Sequence, residues 1–123
     1  MGKRMKLVVV VMMSLLLFGC GKEQDKLVVS YCKAIEAGKL DQAVSFLSKD
    51  AKQVLERSGG KSLLTASVSE FKQRKGIKGI DITKSTVAGD KATVELLYRF
   101  NDGSTVKDSY PLVRENSVWK ISN

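Results

Sequence analysis

At 123 residues, with 43% hydrophobic and 28% charged side chains and a formal charge of +8, the chain has room for one globular domain and does not have a disordered composition. It contains no histidine, which removes Ser-His-Asp and Cys-His catalytic arrangements, histidine metal ligands and the commonest general base together. Two cysteines are too few for a metal cluster, and no cofactor is expected.

In chain order, the first feature is the basic opening Met1-Gly2-Lys3-Arg4-Met5-Lys6, followed by an almost uninterrupted apolar run from Leu7 to Phe18 and the small pair Gly19-Cys20. Charge, apolar stretch and small residues in that order describe a secretory signal. The run is shorter than the roughly 20 apolar residues a permanent transmembrane helix needs, so a cleaved segment over 1–19 is expected. Leu17-Phe18-Gly19-Cys20 resembles the bacterial lipobox, with Phe18 bulkier than the residue usual at its place. That resemblance implies diacylglycerol on Cys20, cleavage before it and an acylated new amino terminus, which together make a stable anchor in the membrane. Gly21 after the cysteine is not the aspartate associated with inner-membrane retention. The expected location is therefore the outer membrane facing the periplasm, or the exterior of the plasma membrane where there is only one. Loss of Lys3, Arg4 and Lys6 leaves a basic chain, whose partners outside the cytoplasm are anionic headgroups or envelope polymers rather than nucleic acid.

Residues 20–26 are polar and read as a lipidated tether, with the globular domain expected over 27–123. Leu27, Val28, Tyr31, Cys32 and Ile35 recur at helical spacing and Gly38 supplies a stop. With Cys20 lipidated, Cys32 has no intramolecular partner, and its place in the helical pattern makes it a small buried apolar side chain. Leu40, Ala43, Val44 and Leu47 predict a second helix. Ser48 is placed to cap a third beginning near Lys49, and Gly59-Gly60 ends it. Gly59-Gly60-Lys61-Ser62 carries the tail of a phosphate-binding loop without its earlier glycine, and reads as a plain connection. Leu63, Leu64, Val68 and Phe71 predict a fourth helix, closed by a basic run containing Lys72, Arg74, Lys75 and Lys78.

Beyond Gly76 the apolar period becomes two: Ile80 and Ile82, then Ala92 to Phe100, then Val106, Tyr110 and Leu112, then Trp119 and Ile121. The separators are too short for crossover helices, which predicts a four-stranded antiparallel meander. Its apolar face must be covered by the preceding helices. The expected fold is α+β, N-terminal helices packed on a curved four-stranded antiparallel sheet as a cone. Pro111 inside the third strand belongs at an edge, a bulge or a strand start.

The segment Tyr31 to Ala43, then Phe46-Leu47-Ser48, Gly89-Asp90-Lys91-Ala92-Thr93-Val94, Asp102-Gly103 and Leu112-Val113-Arg114-Glu115 with Val118-Trp119-Lys120-Ile121, is similar to the lipoprotein domain of unknown function 4878. That family implies the cystatin-like α+β cone of the nuclear transport factor two-like superfamily, shared with ketosteroid isomerase, and by itself implies no reaction.

Tyr98, Phe100, Tyr110 and Trp119 occupy apolar strand phases and are candidates for the mouth of the cone. Of the strand acids Asp81, Glu95 and Asp108, a carboxylate base in a dry pocket is conceivable only for Asp108, which shares the phase of Val106 and Tyr110. The leading expectation is a non-enzymatic envelope lipoprotein, held by membrane lipid through acylated Cys20, whose cone binds a small apolar ligand or an envelope protein. An enzyme using a carboxylate in the cone, and a structural or inhibitory interaction module, are the alternatives.

Overall fold

The computed structural model describes residues 23–123. The expected signal segment 1–19, Cys20 and the first residues of the tether lie outside the described residues. Among the described residues four helices precede four strands: α1 Glu23–Glu36, α2 Leu40–Ser45, α3 Lys49–Arg57, α4 Lys61–Gln73, β1 Ile77–Ala88, β2 Lys91–Phe100, β3 Thr105–Glu115 and β4 Val118–Ile121.

Helix α1 begins earlier than the 26/27 boundary that polarity suggested. Gln24 and Asp25 are buried, and Gln24 donates from Nε2 to Ser85 Oγ at 2.9 Å. The correction has a simple cause: Glu23 and Asp25 make the segment look like a solvated linker, yet acids in a first turn complement the positive end of the helix dipole. Val28, Cys32 and Ile35 form the stripe that α1 lays on the sheet. Gly38, at φ +74°, ends the helix with Lys39 N–H donating to the Ala34 carbonyl. Ser48 caps α3 through the Ala51 N–H at 3.1 Å.

The sheet order is β1-β2-β3-β4, antiparallel throughout. Ala92, Val94, Leu96, Tyr98 and Phe100 of β2 all face the helices, as the period-two pattern required. In β1, Lys78 and Thr83 are each an extra residue against β2, and these two bulges bend the sheet around α1. They also hide the alternation of a 12-residue strand, of which the sequence showed only Ile80 and Ile82. Two-residue turns at Gly89-Asp90 and Asn116-Ser117 close the outer hairpins; both Asn116 and Ser117 have positive φ, the geometry that follows the sheet's twist.

β4 is short and pairs with β3 only from Leu112 onward, so Thr105–Pro111 forms an open margin of the sheet. Pro111 sits where that margin ends: its carbonyl accepts from Ser122 N–H at 2.8 Å, and its missing donor faces a flank where strand pairing has ceased. On the far side of β4, Ile121 exchanges backbone bonds with Phe46 and Ser48, which covers that edge. One core spans the inner stripe of α1, Leu64 and Phe71 of α4, and the concave face of the sheet. Among the described residues no helix is long and apolar enough to cross a membrane.

Candidate functional site

The centre of the cone holds a small polar cluster in an apolar setting. α1 aims Cys32 at the concave face, where β2 presents Tyr98 and β3 presents Tyr110. Cys32 Sγ lies 3.1 Å from Tyr98 Oη, and Tyr98 Oη lies 2.8 Å from Tyr110 Oη. Tyr31, one residue before Cys32, meets the Tyr110 ring edge-on with centroids 5.8 Å apart. Burial pushes the Cys32 thiol up from its ordinary range, more than the two phenol hydrogen bonds lower it. Burial first, then the neighbouring thiol, pushes up Tyr31, Tyr98 and Tyr110 as well. The cluster is therefore a set of protonated donors and acceptors that satisfy one another. A thiol in this state is a poor nucleophile, since the thiolate is the reactive form.

Asp108 shares the face of Leu96, its partner across β2, and its charge contributes to raising all four groups. It is nevertheless exposed, on the half of β3 that β4 does not cover. Its Oδ1 accepts from the backbone N–H of Ser109 at 2.8 Å. The inward, dry position that a carboxylate base requires is not the one it occupies. Asp81 is exposed and paired with Arg99 at 2.8 Å, and Glu95 lies on the outer face opposite Ser109.

The four residues expected at the mouth, and Asp108 as the candidate pocket carboxylate, fall into three places. Tyr98 and Phe100 pack with Phe71 of α4, ring centroids 5.6 to 5.7 Å apart, closing one end of the cone. Tyr110 and Asp108 lie along the open margin. Trp119 lies at the opposite end, because β4 pairs with the part of β3 farthest from Phe100. There Trp119 lines a groove of about 280 Å³ with Glu23, Lys26, Leu27, Phe46 and Val118. The Arg114 guanidinium lies 4.3 Å from the centre of the indole ring and 3.8 Å from Asp90.

A structure from Campylobacter jejuni, provisionally named an NTF2-like transpeptidase, is similar over 81% of this chain and 97% of its own, with a TM-score of 0.70 and 17% identity. A de novo designed NTF2-fold protein matches over 83% of each chain at TM-score 0.54 and 22% identity. The fold is NTF2-like. A SEC-C motif containing protein from Rhodopseudomonas palustris also matches, over 85% of each chain, at TM-score 0.57 and 14% identity. No family model matches the chain, and no curated protein does.

Within this NTF2-like domain, sequence reasoning passed over Cys32 and Tyr31 as members of the central cluster. Two tyrosines in buried strand phases each need a hydroxyl partner, and Cys32 is the one polar side chain on the inner α1 stripe that reaches them. The groove around Trp119 had no comparable signal, since Phe46 and Leu27 reach it only through the packing of α1 and α2 on β4.

Proposed function

We propose that this chain is a lipid-anchored protein of the bacterial cell envelope whose NTF2-like domain binds a protein partner through its surface and performs no chemistry of its own. The anchor rests on Cys20 at the end of the Leu7–Phe18 apolar run, directly before the folded domain. The observation that carries the binding reading is the filled centre of the cone. Cys32 is 1% exposed, Leu96 1% and Phe100 2%, and the Cys32, Tyr98 and Tyr110 groups are already bonded to one another. That favours a protein partner over a small apolar ligand in the centre. The exposure of Asp108 weighs against the carboxylate enzyme, and the burial of Cys32 against peptide transfer through a thiol ester.

The reading is tested on protein extracted in mild detergent from its own membranes. Intact mass spectrometry is expected to find acyl groups on Cys20 and no retained small molecule other than membrane phospholipid, and crosslinking in intact cells to yield a reproducible envelope partner. A stoichiometric small molecule bound in the cone would overturn the protein-partner reading, and an unmodified Cys20 would overturn the anchor.

A further inference from the structure

The groove around Trp119 lies at the end of the domain where the chain enters from the proposed anchor. Cys20 stands three positions before Glu23, and three residues span at most about 11 Å. Glu23 is itself part of the groove's lining, with Lys26, Leu27, Phe46, Val118 and Trp119. A lipid on Cys20 would therefore keep Glu23, at the edge of this groove, within about 11 Å of the anchoring residue, whatever direction the tether takes. Val118, 53% exposed, and Val87, 48% exposed, are the two most exposed large apolar side chains among the described residues. Both lie at this end of the sheet, beside the Asn116-Ser117 and Gly89-Asp90 turns.

We infer that the Trp119 groove is a membrane-docking site, seated on the bilayer that holds the Cys20 lipid, with Val118 entering the headgroup layer and a neighbouring phospholipid filling the groove. The inference rests on the proposed acylation of Cys20. An indole stacked under a guanidinium, apolar below and charged above, has the amphipathic character that suits the boundary between headgroups and acyl chains. The apolar contact is too small to recruit a free protein, but it need not. A tether this short makes docking intramolecular, at an effective concentration in the millimolar range. Charge plays little part: within the lining Lys26 stands against Glu23, and Arg114 is paired with Asp90. Docking is therefore expected to be indifferent to anionic lipid and to salt.

Trp119 is the sole tryptophan of the chain and reports on the groove directly. Full-length lipidated protein would be reconstituted into phosphatidylcholine vesicles with or without bromine atoms high on the acyl chains. Its emission is expected to fall by half or more in the brominated vesicles, equally at low and high salt. Val118→Asp, at an exposed position that leaves the core untouched, is expected to abolish the quenching while the acyl mass on Cys20 persists. Equal emission in the two kinds of vesicle, from protein whose lipid is confirmed by mass, overturns docking and leaves the anchor standing. Absence of the acyl mass removes the anchor and the inference with it, and the mass spectrum tells the two failures apart.

Discussion

Cys32 is enclosed on the α1 side by the helix itself and on the sheet side by Tyr98 and Tyr110, and two consequences follow at the scale of single residues. The first concerns reactivity. A thiol that is buried and held protonated is expected to resist N-ethylmaleimide in the native protein and to react at once in urea; prompt labelling of native protein would mean that the cluster opens readily. The second concerns pH. Burial raises the thiol above 9.0 and the Tyr31, Tyr98 and Tyr110 phenols above 10.0, so the folded state keeps protons that the unfolded chain releases. Their contribution to stability is fully present below pH about 8.5 and declines as pH rises, with a slope approaching about 1.4 kcal/mol per pH unit for each fully titrating group. Urea unfolding followed from pH 7 to 10.5 is expected to show this decline, made shallower by Tyr98→Phe and Tyr110→Phe together. A flat profile would mean that the phenols ionise in place. The aromatic phases of β2 and β3 were legible in the sequence, whereas the hydrogen bonds were not, because Cys32 lies 66 residues from Tyr98 and no local pattern links them.

At the scale of elements, the α3 cap and the edges of the sheet carry the testable claims. Ser48 is almost fully buried; it caps α3 with its side chain and pairs its N–H with the Ile121 carbonyl at 2.7 Å. Ser48→Ala keeps the backbone bond and loses the cap, so a loss of about 1 kcal/mol, and at most about 2, is expected in chemical denaturation. No measurable loss would mean that a water or a shifted chain satisfies the Ala51 N–H. Leu96, which faces α1 from the middle of β2, is a larger case: Leu96→Ala is expected to cost about 2–5 kcal/mol, because packed side chains surround the vacated volume. Caps and glycine stops are written in residues close in sequence, and for that reason Ser48 and Gly38 were both readable. The bulges at Lys78 and Thr83 were not, since a bulge is defined by a partner strand. The same bulges, with Lys78 and Lys84 near the outer edge of β1 and with Asp108 and Lys107 on the open margin of β3, discourage edge-to-edge pairing of copies.

For the molecule as a whole, the two ends of the sheet carry different chemistry. The α1 amino terminus, the Trp119 groove, Val87 and Val118 occupy one end. Lys72, Arg74 and Lys75 occupy the other, where Asp102 N–H donates to the Arg74 carbonyl and Asn101 N–H to the Gly76 carbonyl beside the β2–β3 turn. The ten residues of β2 separate the ends by about 30 Å. The sequence showed the basic run but not its distance from the anchor, because that distance depends on the α4 C-terminus packing beside the β2–β3 turn while the α1 N-terminus lies at the β4 end. If the groove rests on the bilayer, the basic end stands away from it, beyond the roughly 10 Å over which charges on a surface act at physiological salt. Its cations are then free for an anionic envelope partner rather than for the headgroups of the anchoring membrane. Lysine footprinting with a membrane-impermeant acetylating reagent would decide the orientation. On vesicle-bound lipidated protein, Lys26 is expected to be protected relative to detergent-solubilised protein, while Lys72 and Lys75 react equally in both. Protection of Lys72 and Lys75 together with free reaction of Lys26 would put the basic run on the membrane, which a tether of three residues cannot reach past the domain, and would overturn both the docking and the anchor at Cys20.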